Sequence, residues 1–158
     1  MAIEVVNRQR LVRVDREAVA NVARATLESI GRAGASLTVA FVRDRRIRDL
    51  NRDYRGKDSA TDVLSFPADD EQAGPATGGF KDAGPNSMNY IGDVIISTDA
   101  ALRQAEEAHH TLEREVSELV IHGTLHLCHY DHETDHGDMN RLELKLRRKL
   151  LDRGRGRG

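Results

Sequence analysis

The chain has 158 residues, of which 39% are apolar, 32% charged and only 4% aromatic, with a formal net charge of −2. That length suits one domain around a modest, mostly aliphatic core. No apolar run approaches bilayer-spanning length, the opening MAIEVVNRQR lacks the apolar stretch of a secretory leader, and a lone Cys128 has no internal disulfide partner, so a reducing, cytoplasmic setting is expected.

The charge is unevenly spread. Residues 1–60 carry +5, residues 61–140 carry −13 and residues 141–158 carry +6. Basic ends flanking an acidic middle are either solvated helix faces or surfaces for nucleic-acid phosphates.

IEVVN and RLVRV read as short strands, or as one edge strand with a break. From Asp15 the period changes: Val19, Val22, Ala23, Leu27 and Ile30 recur at helical spacing, and Gly31 stops the helix. SLTVAFV (Ser36–Val42) is apolar and β-branched, which predicts a strand. Ile47, Leu50 and Tyr54 mark one face of a short helix ending near Gly56. TDVLSF predicts a second clear strand, closed by Pro67. Residues 67–89 hold all three prolines and four of the thirteen glycines, and predict a long mobile surface loop. YIGDVIIS predicts a strand, and Ser97 an N-cap for the helix through TDAALRQAEEA. A longer helix starts near Thr111, with Leu112, Val116, Leu119 and Val120 on its buried face. The last helix carries Met139, Leu142, Leu146 and Leu150. The RGRGRG tail, residues 153–158, is low-complexity and predicted disordered. Strands and single helices intermix, which predicts an α+β (mixed α/β) domain over residues 1–152: a small mixed sheet packed with about five helices.

The stretch HGTLHLCHYDH concentrates four of the seven histidines between His122 and His132. His122 and His126 are four apart in a helical segment, so they share one face, one turn apart. The helix must end near CHYDH, and a turn there can return His132 over the same face. Three neutral nitrogens with a fourth position open for water is the pattern of a catalytic zinc, which lowers the pKa of its water towards ~7. His136, four past His132, and Cys128 are the candidates for a closing fourth ligand, which would make the metal structural. Asp131 either orients a ligand imidazole or caps the turn. His109 and His110 are expected to be solvent-exposed. Zinc proteases of the H-E-x-x-H type place a glutamate after the first histidine; here that residue is Gly123, which offers no base but suits a helix packed closely against a strand or a bulky neighbour.

Three blocks then align with one family. HGTLHLCHYDH resembles H-G-x-L-H-L-x-G-Y-D-H, a signature of the YbeY family of metal-dependent bacterial endoribonucleases. LNRDYRGKDSATDVLSFP (Leu50–Pro67) is similar to that family's Y-R-x-x-D followed by T-D-V-L-S-F-P, and IGDVIIS (Ile91–Ser97) to its G-D-I-x-I-S strand. One departure is His129, where the family has a glycine suited to a left-handed helix cap.

The resemblance implies that His122, His126 and His132 hold one Zn2+ ion at the end of a central helix, and that Arg55 serves the reaction. A planar, permanently charged guanidinium matches phosphate oxygens. It implies a single-strand-specific, zinc-dependent endoribonuclease of rRNA maturation (the 16S 3′ end) and ribosome quality control. Single-stranded RNA, rRNA and the ribosome or its proteins are the implied partners. The alternatives are a ribosome-associated RNA-binding factor with a structural metal, and a zinc hydrolase of another substrate class.

Overall fold

The hydrophobic pattern is realised nearly element for element. The computed structural model describes residues 3–68, 89–128 and 137–152. The chain runs β1 (Ile3–Asn7), α1 (Arg16–Ser29), β2 (Ser36–Val42), α2 (Asp44–Arg55), β3 (Val63–Pro67), β4 (Tyr90–Ser97), α3 (Thr98–Ala108), α4 (Leu112–Leu127) and α5 (Asp138–Arg147), then a π-type turn at Arg148–Asp152. The expected α+β class holds. The predicted loop at 67–89 and the RGRGRG tail fall almost wholly or wholly outside the described residues; of the loop, Pro67 closes β3 and the Asn89 carbonyl accepts from the Ser36 N–H at 2.9 Å.

Helix starts follow side-chain capping. Asp15, Ser97 and Thr111 accept from the N–H three residues on, at 3.1, 3.1 and 3.0 Å, filling donors the first turn leaves unpaired. No side chain of its own caps α2, and Asp99 of α3 reaches across to accept the Asp44 N–H at 2.8 Å. Gly56 ends α2 with φ +71°, a left-handed cap that costs glycine little.

The four strands order as β1-β2-β4-β3, with β1, β2 and β4 parallel and β3 antiparallel to β4. Every residue of β2 is buried, so apolar side chains fill Val39–Val42 without a polar alternation, and its two polar residues, Ser36 and Thr38, are buried with them. Leu37, Val39, Phe41, Val94 and Ile96 form one core with Ala23 and Leu27 of α1 and Val116, Leu119 and Val120 of α4. On the opposite face Ala40, Val42, Ile95 and Phe66 pack with Ile47 and Leu50 of α2. A third cluster, Ile121, Leu125, Met139 and Leu146, joins α4 to α5. Each fully buried side chain of this size is worth roughly 1.5–3 kcal/mol, so α4, anchored on two sides, is the most firmly held helix. Its remaining row is polar, spaced by four: Arg114, Glu118, His122 and His126.

RLVRV forms no strand. The Gln9 side chain takes over the pairing at Val12, donating to its carbonyl and accepting its N–H, both at 3.0 Å, so both backbone groups of Val12 are met without a sheet partner.

Candidate functional site

The two predicted helical histidines come together with the predicted arginine. On α4 the rings of His122 and His126 lie 4.6 Å apart between centroids, tilted by 59°. They border an open cleft of about 650 Å³ whose other wall includes Asn51, Arg55, Lys57 and Ser59. His132, with His129, Asp131 and His136, lies outside the described residues.

Close contact of α4 with the sheet sets the position of the imidazoles. A methyl group on Gly123 would come within 2.5 Å of Val94 Cγ1 and 3.2 Å of Val63 Cγ2. The missing side chain after His122 is therefore what seats α4 on β3 and β4, as its place in the sequence led us to expect. Ser65 ties the same region, donating its hydroxyl to the Gly123 carbonyl at 2.9 Å.

Arg55 ends α2 at the cleft rim. Its guanidinium donates to the Ser65 carbonyl and sits 5.1 Å from the Phe66 ring centroid. A cation held over an aromatic face is oriented without losing its charge. One donor on β3 leaves the rest of the five-donor fork for a ligand in the cleft. Behind it, buried Asn51 donates to the Ser59 carbonyl at 2.9 Å, fixing the loop that carries Lys57 along the wall.

Sequence reasoning missed Glu143. This residue of α5 is only 4% exposed. One carboxylate oxygen accepts from His122 Nδ1 at 2.8 Å and the other from Arg147 at 2.5 Å. Burial pushes the Glu143 carboxyl up, but the hydrogen bond with His122 and the charge and hydrogen bond of Arg147 outweigh it and hold it below the usual range. Only the helical pattern of α5, which puts Met139, Glu143 and Leu146 on its inner face, hinted at it.

Two expectations about the other candidate groups change. His110 is not a solvent-exposed histidine: its side chain is 19% exposed and its Nε2 meets Glu115 at 2.7 Å. His109 is exposed and caps α3 in a left-handed conformation. His110, Glu115 and Glu118 place ligand atoms within 4.8 Å of one another, close enough to share an ion. However, Glu118 is held by Arg114 at 2.7 Å and by Arg147 at 3.3 Å, so its charge is already met. Cys128, two residues past His126 and thus about 200° round the helix, is partly buried against the main core, and burial pushes its thiol up. It behaves as a small apolar residue, not as a fourth ligand to the histidine pair.

The family model described as Endoribonuclease YbeY matches residues 4–152. Curated relatives carrying that name include proteins of Anaeromyxobacter sp. (43% identical over 80% of this chain and 60% of that protein), Aquifex aeolicus (43%, over 80% and 74%) and Alkaliphilus metalliredigens (38%, over 87% of each). Among solved structures, the solution structure of TM1509 from Thermotoga maritima is similar, with a TM-score of 0.58 and 26% identity over 98% of this chain and 93% of the other. The chain therefore belongs to a class of nucleases, hydrolases of RNA phosphodiester bonds. The chain is a member of the endoribonuclease YbeY family. No helix among the described residues is long and apolar enough to cross a membrane.

Proposed function

We propose that the cleft cuts single-stranded RNA, with one zinc ion held by His122, His126 and His132 and the substrate phosphate met by Arg55. The observation that carries this reading is the meeting, in one open cleft, of two imidazoles one helical turn apart and an oriented guanidinium. The donor set suits zinc: neutral nitrogens, with His122 Nδ1 engaged by a buried carboxylate so that Nε2 is the nitrogen for an ion. When bound, zinc supplies a Lewis acid for a phosphoryl oxygen and makes water a nucleophile near neutral pH.

The chain's own residues do the rest. Arg55 binds the phosphate by its planar fork and offsets the charge that grows on the phosphoryl oxygens in the transition state. Lys57, exposed on the same wall, adds a second cation for an adjacent phosphate. No Phe or Tyr is among the described residues lining the cleft, so base stacking is scarce and sequence preference is weak. The biological setting we infer is cytoplasmic rRNA maturation at the 16S 3′ end and ribosome quality control, with the ribosome as partner.

The test compares Arg55→Ala, Arg55→Lys and His126→Ala for zinc content, melting temperature and cleavage of a single-stranded RNA. Arg55→Ala is expected to keep metal and fold and to lose about 10²–10³ in rate, the usual effect of removing one transition-state contact. Arg55→Lys should rescue poorly, because a point charge lacks the fork. An Arg55→Ala protein that cuts at the wild-type rate, or fails only because it unfolds, would remove Arg55 from the reaction and leave it a brace against β3.

A further inference from the structure

We propose that Glu143 is a positioning residue that fixes the His122 imidazole, with the proton on Nδ1 and the Nε2 lone pair turned towards the metal. The inference rests on the zinc reading above and adds to it a residue from another helix.

The geometry is specific. Glu143 sits on the inner face of α5 beside Met139 and Leu146, in the cluster that packs against Ile121 and Leu125 of α4. A carboxylate in such surroundings costs several kcal/mol unless each oxygen is matched. Both oxygens are matched, and by different partners: Oε1 by His122 Nδ1 at 2.8 Å, Oε2 by Arg147 at 2.5 Å. The Arg147 pair is made within α5 and would by itself offset the carboxylate charge; the contact with His122 is the one by which Glu143 reaches a ring on α4. An ionised carboxylate only accepts, so Nδ1 must be the donor. That makes Nε2 the ring nitrogen with a lone pair to offer an ion.

The support runs further. Arg147 also meets Glu118 at 3.3 Å, Glu118 meets Arg114 at 2.7 Å, and Arg114 pairs with Asp152 of the terminal turn. Charges alternate along this line from the turn at Arg148–Asp152 to His122. It limits both the rotation of the imidazole and the slide of α5 along α4. A carboxylate behind a ligand imidazole also raises that ligand's basicity, and its loss commonly weakens metal binding by about 10–100-fold.

Three full-length variants, Glu143→Gln, Glu143→Ala and His126→Ala, test this beside the wild type. Zinc affinity is read by competition with a chelator, fold by melting temperature, and the His122 tautomer by nitrogen-15 NMR of the metal-free protein. The wild type should carry a proton on His122 Nδ1. Zinc should bind about 10–100-fold more weakly to the Glu143 variants, with Gln, which still accepts a hydrogen bond, less affected than Ala. Excess zinc should restore much of their RNA cleavage. Wild-type zinc affinity in a folded Glu143→Gln protein, or a wild-type His122 with Nδ1 bare, overturns the proposal. Should Glu143→Ala fail to fold, the tautomer and the Gln variant still decide. Zinc retained by His126→Ala would instead overturn the metal site itself. Zinc lost there but bound normally by both Glu143 variants overturns only the role of Glu143.

Discussion

Helix α4 carries a histidine–glutamate pair at each end. At its start His110 meets Glu115 at 2.7 Å; near its finish His122 meets Glu143 at 2.8 Å. The contact itself does not distinguish them, and their neighbours do. The first pair is local in sequence, and the next carboxylate, Glu118, is neutralised by two arginines. The second is made across 21 residues, has another imidazole one turn along, and borders a cleft edged by Arg55 and Lys57. A histidine–carboxylate pair is thus not in itself a metal site. It becomes a candidate when further neutral donors converge and the nearby cations face a substrate rather than the ligands.

The sharpest way to break this comparison is to delete one histidine from each end. His126→Ala should release zinc and reduce RNA cleavage to background, because it removes a ligand and the chemistry that depends on it. His110→Ala should leave zinc content and cleavage at wild-type values and lose only about 1 kcal/mol of stability, the usual worth of one partly buried hydrogen bond. Metal loss from the His110 variant would mean that the two ends had been assigned the wrong way round.

Packing separates the ends as well. Gly123→Ala should lower stability by up to about 2 kcal/mol, since overpacking of about 1–3 kcal/mol against Val94 is set against a helix-propensity gain of about 1 kcal/mol. For a chain of this size that is a fall of up to several degrees in melting temperature, at about 2–4 °C per kcal/mol. Ser117→Ala, nearer the start of the helix, should stay within about 0.5 kcal/mol. Equal melting temperatures for the two variants would show that α4 is not seated through Gly123.

The smallest effect concerns a carboxylate with no imidazole. Asp99 is held below the usual carboxylate range by the Arg43 hydrogen bond, against some desolvation, with the Asp44 N–H adding to it. A depressed folded-state value means stability that is present above the unfolded carboxylate pKa and lost as pH falls through the folded one. Asp99→Asn should therefore cost about 0.5–1 kcal/mol at neutral pH, typical of a cap with an exposed ion pair. The gap from wild type should close on acidification. A gap that is constant with pH would mean that the charge of Asp99 plays no part.

What could be read in the sequence follows from the range of each interaction. Short apolar, β-branched runs marked β2 and β4, caps marked Asp15, Ser97 and Thr111, and spacing by four put His122 beside His126. These signals are local. The Glu143 contact forms only when α5 folds onto α4, and the Ser65 link to Gly123 only when β3 lies under the helix. Nothing in a linear pattern encodes such meetings. The burial of His110 was missed for a related reason: a polar-looking turn, HHTLE, hides a histidine turned inward onto a glutamate. RLVRV misled because its alternation is real, yet Gln9 outcompetes a sheet partner for the Val12 backbone.

The contrast between the two ends of α4 is tested most directly by locating the metal. A crystal of the zinc-loaded protein, measured on both sides of the zinc absorption edge, gives an anomalous difference map that marks the ion without reference to the chain. One peak is predicted, between His122 and His126 at the cleft that Arg55 borders, with His132 completing the ligands. A peak at His110, Glu115 and Glu118, with none at the cleft, would contradict the account.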